Sequence, residues 1–387
     1  MKNIDKNVVL LGWVSYFTDM ASAMINPVLP VFVVYTLHEG VDKLGIIVAV
    51  STFVSYALRF VSGYISDRLN ITKPLVVGGY LVSAISKPLI GSAYNYIEIA
   101  LLKAVERVGK AMRSAPKDSM IAFYSKKKRS GKTFGFHKTM DIAGELSGTI
   151  LLFALLYHFG QNETIIRNIF HATLIPGFVG VAIVALFVKN VKRAKKKSAA
   201  HFELTYKDKA TVKILFFYFI FIFFIFNEAF FTMQAKGVGI ATTFIPLLFI
   251  VSTTTQTATS YLSGILIDKI GTKKMMLVAY ASGIFAQFLL YIQKPVFTWI
   301  AYIFLGLFTV ISLNANRALI ADSSDNKGSI YGIFYAGVAV FGASGAYICG
   351  TIWKHIGVSA ALEFSLAGCI SITVFYVLYA ADFLSSD

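Results

Sequence analysis

The sequence predicts an all-α membrane protein of twelve transmembrane helices, arranged as two six-helix bundles related by pseudo-twofold symmetry. Three observations predict it. Apolar residues fill 56% of the 387 positions, with 34 Phe and 20 Tyr, and mean hydropathy is +0.68. Soluble domains sit near about 45–50% apolar and seldom repeat apolar runs of about 20 residues. One long hydrophilic stretch, residues 189–210, divides the chain into a first half, 1–188, and a second, 211–387. Motifs also recur at matching places in the halves. Gly63-x-x-x-Asp67-Arg68 and Gly264-x-x-x-Asp268-Lys269 each precede a basic turn, and Gly131-Lys-Thr-Phe-Gly135 is echoed by Gly328-Ser-Ile-Tyr-Gly332. Such matches mark an internal repeat of six helices.

The spans are expected at 8–36, 42–66, 74–93, 96–124, 132–158, 165–188, 211–235, 241–267, 275–293, 296–321, 328–352 and 357–383. The first carries Asp19, Asn26, Pro27 and Pro30 and lacks a small-residue cleavage site, so it reads as a retained helix rather than a signal peptide. An even number of spans puts both termini on one side. The turns after even-numbered spans hold Arg68 and Lys73, then Lys126 to Lys132, the run from Lys189 to Lys197, and Lys269, Lys273 and Lys274. The opposite turns hold only Lys43, Arg167, Lys236, Lys294 and Lys354. Positive charge stays inside, so the expectation is a multi-pass protein of the cytoplasmic (inner) membrane with both termini cytoplasmic.

Composition removes several classes. A net charge of +16 would suggest nucleic acid in a soluble protein. Here it follows from basic cytoplasmic loops, and no soluble fold carries a basic face. Cys349 and Cys369 lie in apolar segments and imply no disulfide framework. The six histidines are scattered, without metal-site spacing. Gly131-Lys132-Thr133 resembles the tail of a P-loop, but no strand precedes it and Lys126 stands where the first glycine belongs. No nucleophile–base pair stands out, so an enzyme is not expected. No cofactor is expected either.

The fourth span, YIEIALLKAVERVGKAMRSAPKDSMIAFY, is long enough to cross a bilayer yet holds Lys103, Glu106, Arg107, Lys110, Arg113 and Lys117. At about 100° per residue these fall within an arc of roughly 120°. A charge at mid-membrane costs about 2.5–3.5 kcal/mol, so this face needs water, counter-ions or a ligand. In the fifth span Lys138, Asp141 and Glu145 share an arc of roughly 60°. Depth places Glu145 level with Lys110 and Asp141 level with Arg113, with Asp19 of the first span near mid-depth. A buried network of these acids with Arg107, Lys110 and Arg113 is therefore expected. His137 reads either as a pH-sensitive neighbour of Asp141 or as a lone polar residue at a helix start, the second being the expectation. In the second half, Thr253, Gln256, Thr257 and Ser260 share a face that either meets a solute or bonds its own helix. Glu228 is the acid well inside that half, and Asn314, Asn316 and Arg317 lie in the tenth span.

The duplicated G-x-x-x-D-[RK] turn, the basic linker and the six-plus-six count resemble the major facilitator superfamily across essentially the whole chain. Asp19-Met-Ala-Ser-Ala-Met-Ile-Asn-Pro27-Val-Leu-Pro30, Arg107-Val-Gly109-Lys110-Ala-Met-Arg113-Ser-Ala-Pro116-Lys-Asp118 and Phe134-Gly135-Phe-His137-Lys-Thr-Met-Asp141 are similar to its mostly bacterial efflux-type group. The chain departs from that group at Gly144-Glu145-Leu-Ser-Gly148, where a small residue and a glycine–proline pair associated with antiporters are usual. The resemblance implies two bundles rocking about a central site. It also implies a latch at Gly63, Asp67, Arg68, Gly264, Asp268 and Lys269, with Asp118 facing Arg68. The glycines would permit close helix approach.

Together these readings point to a secondary transporter of a small organic anion, such as a polycarboxylate metabolite or carboxylate siderophore, coupled to protons. Arg107, Lys110, Arg113, Thr253, Gln256 and Asn314 are the candidate substrate contacts, and Asp19, Asp141, Glu145 and Glu228 the candidate proton carriers. The expected partners are the solute, protons and membrane lipids, without nucleic acid, for a chain acting as a monomer. A proton-coupled exporter of drug-like compounds is the alternative. A solute sensor on the same helices is another, although sensors often add a long soluble domain.

Overall fold

The first expected span does not run as one helix. In the computed structural model, which describes residues 4–69, 72–125, 130–191 and 204–384, α1 (Lys6–Ala23) gives way to turns at 24–28. Helix then resumes as α2 (Leu29–Val31) and a π-helical turn, Phe32–Thr36. Pro27 and Pro30 account for the break: proline lacks an N–H, clashes with the carbonyl one turn back and pushes the residue before it out of the helical region. At its start α1 is held by Asp5, whose carboxylate accepts the Asn7 N–H at 2.8 Å.

Next come α3 (Val41–Leu69), α4 (Lys73–Leu89) with a 3-10 turn at Ile90–Ser92, and α5 (Tyr96–Tyr124). Asn95 caps α5 by accepting the Glu98 N–H at 3.0 Å. Then α6 (Ser130–Phe159), α7 (Glu163–Ala172) and α8 (Leu174–Ala182), which ends in a π-helical turn at Ile183–Phe187, complete the first half. The seventh expected span is also broken. There α9 (Tyr206–Phe224) stops and α10 (Glu228–Gly237) begins afresh, with the Asn227 side chain accepting the Ala229 N–H at 2.9 Å. A 3-10 turn at Thr242–Phe244 leads into α11 (Ile245–Ile270), followed by α12 (Thr272–Tyr291), α13 (Pro295–Ser323), α14 (Lys327–His355) and α15 (Val358–Leu384).

Among the described residues, nine helices are long and apolar enough to cross a membrane. The stretches outside that set are α1, α5 and α11. They carry Asp19, the six-charge face and the Ser/Thr run respectively. Each carries polar groups that lipid would not solvate, while Trp13 of α1, Leu101 of α5 and Tyr261 of α11 remain exposed.

The chain forms two compact units. One comprises Met1–Glu39 with Val50–Ala199, the other Gly40–Ala49 with Ala200–Asp387, so the first turns of α3 pack with the second. Lipid tails are as apolar as leucine, so helices associate mainly by close packing over small residues. In the first unit α1 lies on α6. A Cβ added at Gly144 would sit 2.2 Å from the Tyr16 carbonyl oxygen, and one at Gly148 would sit 2.3 Å from that of Met20. Likewise α4 lies on α5, where a Cβ on Gly79 would meet the Gly109 carbonyl at 2.5 Å. The second unit repeats the scheme. Gly345 of α14 would meet the Phe223 carbonyl of α9 at 2.1 Å, and Gly306 of α13 that of Ser252 on α11 at 2.8 Å. Its core is aromatic, with Phe221 stacked on Tyr280 at 4.4 Å.

Candidate functional site

Helix α5 is an amphipathic helix turned inside out. Its apolar residues Ile97 and Leu101 are 54% and 62% exposed, whereas Lys103, Glu106 and Arg113 are buried and Arg107, Lys110 and Lys117 partly so. The charged arc read from the sequence therefore faces the interior of the first unit. Two clusters are built on it.

The first gathers at the break in the first span. Lys103 pairs with Glu106 one turn on, Nζ to Oε2 at 2.5 Å, and donates to the Asn26 side chain at 3.3 Å. Because Asn26 lies in the unwound segment, its side chain leaves the helical path that an intact helix would impose. Lys87 of α4 is completely enclosed. Its ammonium donates to the Thr18 carbonyl at 2.8 Å and is subject to the charges of Glu106, Arg113, Asp19 and Lys103. Among the described residues no carboxylate comes within ion-pairing distance of it. Arg107 donates to the Ser51 hydroxyl at 3.0 Å. Asp19 makes no hydrogen bond or ion pair among the described residues and acts on Lys87 and Lys117 through its charge.

The second cluster lies further along α5. Arg113 Nη1 donates to the Gly79 carbonyl at 3.1 Å and to Ser83 at 2.6 Å, and its guanidinium covers the Tyr80 ring at 4.5 Å. Lys117 donates to Ser15 Oγ at 3.2 Å. That hydroxyl is 3.0 Å from His137 Nε2 and 3.3 Å from the Tyr80 hydroxyl. His137 Nδ1 lies 3.4 Å from Asp141 Oδ1.

These contacts correct the network expected from depth alone. Asp141 pairs with His137 rather than Arg113, and Arg113 is committed to a carbonyl, a hydroxyl and a ring of α4. The reason is distance. Gly79 and Gly109 bring α4 against α5 so closely that α4 groups reach Arg113 first. Glu145 and Lys110 are half-buried on α6 and α5. His137 is not a lone helix-start histidine: it is 5% exposed, hydrogen-bonded through Nε2 to Ser15 and close through Nδ1 to Asp141.

The second unit carries less charge. On α11, Thr255, Thr257 and Thr259 donate to their own helix carbonyls at 2.7–2.9 Å. Gln256 turns to Ser252 at 3.2 Å, and Thr253 is buried. Asn314 ties α13 to α11 through Ser263 at 2.8 Å. Within the stripe, the Thr257 hydroxyl bonds its own helix and Gln256 bonds Ser252 one turn back. Glu228 opens α10 and is exposed, a favourable place for an acid at a helix N-terminus. Asp268 and Lys269 are exposed, as is Asp118 in the first unit. Among the described residues, none approaches Gly264 closely: an added Cβ would meet nothing within 4 Å. The side chains of Gly63, Asp67 and Arg68 lie outside the described residues.

Sequence reasoning missed Lys87, a single cation in an otherwise apolar span. The signal that would have found it is the repeat. Tyr80 and Lys87 on α4 recur on α12 as Tyr280 and Gln287, with the same seven-residue spacing and the same full burial. Ser15 and Tyr80 carried no charge to draw attention.

Buried, partly compensated charge inside helices that face lipid with Ile and Leu is the constitution of a membrane transporter. Residues 11–346 match the family model of the Major Facilitator Superfamily, and the chain belongs to that superfamily as a multi-pass membrane transporter with a small-molecule substrate. An uncharacterised MFS-type transporter of Methanocaldococcus jannaschii is 28% identical over 367 residues, covering 91% of this chain and 90% of its own. The multidrug resistance protein MdtH of Sodalis glossinidius is 24% identical over 181 residues, 45% of this chain and 44% of its own. Among solved structures, a POT family transporter in complex with 5-aminolevulinic acid has the same fold, with a TM-score of 0.80 at 9% identity over 98% of this chain and 96% of its own.

Proposed function

We propose that this protein is a secondary active transporter of a small organic anion, a polycarboxylate metabolite or carboxylate siderophore, working by alternating access and coupled to protons. The observation that supports it most is Lys87. A buried ammonium is costly unless a counter-charge meets it, and its hydrogen-bond partner here is a neutral carbonyl. Glu106, the buried carboxylate of the cluster, is already engaged by Lys103. The surplus cation is suited to a carboxylate brought by the solute. Arg107 and Lys110, on the same inward arc and only partly buried, serve as the accessible contacts. Arg113 holds α4 to α5, and Asp19 and Asp141 are the carboxylates that exchange protons.

A thermal-shift screen of the purified protein tests the reading, with citrate as the anionic probe and tetraphenylphosphonium as the cationic one. Citrate is expected to stabilise the wild type and to lose that effect in Lys87→Gln. Stabilisation by the cation alone overturns the anion assignment. A second reading, a proton-coupled exporter of drug-like compounds, draws on the MdtH relative and the efflux-type motifs. It requires Lys110→Ala to spare transport and Asp19→Asn to abolish it.

A further inference from the structure

We propose that His137 is a proton-binding site whose state is passed to α1 and α4 by rotation of the Ser15 hydroxyl. The proposal rests on the proton-coupled reading above and locates a proton within it. Imidazole is the side chain that exchanges protons most readily near neutral pH. His137 is enclosed, with a different partner on each ring nitrogen: Asp141 on Nδ1 and Ser15 on Nε2.

Asp141 Oδ1, 3.4 Å from Nδ1, favours by its negative charge the neutral tautomer with the proton on Nδ1. Nε2 is then the acceptor, and the Ser15 O–H donates to it. A proton arriving from water at Nε2 reverses that bond. Nε2–H now donates to Ser15 Oγ, and the hydroxyl hydrogen swings to its other acceptor within reach, the Tyr80 oxygen. Tyr80 changes from donor to acceptor, while Lys117 donates to Ser15 in both states. The Nε2–H bond forms as an O–H bond of a hydronium ion breaks, leaving water, and the proton returns to water by the reverse step. Asp141 on its own helix is the charged group beside His137; Lys138 and Lys117 act on Asp141, and Tyr80 of α4 with Asp141, Asp118 and Asp19 act on Lys117, which bonds Ser15. Arg113, seated on the Tyr80 ring, receives the change at the far end.

The second unit supports the assignment by contrast. Gly148 on Met20 and Gly345 on Phe223 are matching contacts of the two units. Eleven residues before each glycine stand His137 and Phe334, and five before their partners stand Ser15 and Tyr218. Where the first unit has a His–Ser hydrogen bond, the second has an aromatic stack, Tyr218 on Phe334 at 6.0 Å. The helix pair packs without the polar network, so packing alone does not require it.

The test is solution NMR of the full chain in lipid nanodiscs, labelled with ¹³C at the six histidines and followed against pH. The signal absent in His137→Gln belongs to His137; substituting the other five histidines assigns it by elimination should that variant not fold. It is expected to respond to pH, with a midpoint that moves by roughly half a unit or more in Ser15→Ala and in Tyr80→Phe. A signal indifferent to pH, or a midpoint unchanged in both variants, overturns the proposal. The measurement needs no solute. Transport that ignored an imposed pH gradient would remove the coupled-transport reading alone.

Discussion

Gly144 of α6 lies so close to Tyr16 of α1 that a methyl group on it would stand 2.2 Å from the Tyr16 carbonyl oxygen. The neighbour is main chain and cannot step aside. Gly144→Val is expected to lower stability by about 1–3 kcal/mol or more, read as a fall in the thermal midpoint in detergent. Gly135→Ala on the same helix, where nothing lies within 4 Å of the added carbon, is the control. It should be neutral or stabilising by up to about 1 kcal/mol.

Arg113 separates bracing from binding. Lysine there keeps the charge but loses the planar fork that reaches Gly79 and Ser83 while covering Tyr80. Arg113→Lys should cost about 2–3 kcal/mol of stability. In a stability-matched comparison at lower temperature, citrate affinity should change less than in Lys110→Ala.

Lys87 can be exchanged with a rational control, because the repeat already places glutamine at the matching position of α12. Lys87→Gln should fold with stability within about 1 kcal/mol of the wild type or above it, since it removes a buried charge. Lys87→Ala should lose about 2–5 kcal/mol through the cavity it leaves. Both should lose citrate-induced stabilisation. Retention of that stabilisation in Lys87→Gln would place the anion elsewhere.

Asp208 is the hub of a second kind of contact. Its carboxylate accepts from the main chain of Asp325 and Asn326 at 3.0 and 3.1 Å, from the Asn326 side chain at 2.8 Å, and from the Thr205 N–H at 3.1 Å. It thereby ties the start of α9 to the turn between α13 and α14. Asp208→Ala should raise hydrogen exchange together at residues 204–211 and 323–328, with α12 unchanged. Faster exchange at only one of the two segments would show that they are not tied.

The fold was legible because its determinants are local: apolar runs of membrane length, a hydrophilic divide and duplicated turns. The break at 24–28 is written in Pro27 and Pro30, although the apolar run by itself predicts one continuous span. The break before Asn227 has no proline, and only the capping amide announces it. The inward face of α5 was legible because charge and helical periodicity suffice to define it. Its partners were not. Arg113 binds a carbonyl and a serine that become neighbours only because Gly79 and Gly109 let two backbones touch. His137 and Ser15 are far apart in sequence and meet only through the glycine contacts of α1 with α6. Counting charges by depth finds opposite signs, but a carbonyl or hydroxyl that arrives first carries no sign to count.

The inside-out character of α5 also bears on how the chain enters the membrane during synthesis. Each of its buried charges would cost about 2.5–3.5 kcal/mol if the helix met lipid alone, and Arg113 has its partners only once α4 lies alongside. Helix α5 is therefore expected to be a poor insertion signal by itself and a competent one as a hairpin with α4. Glycosylation mapping of the two segments in microsomes would read this directly. The glycine contact that seats Arg113 in the finished transporter is then also an assembly instruction, and the order in which helices leave the ribosome, α4 before α5, suits it.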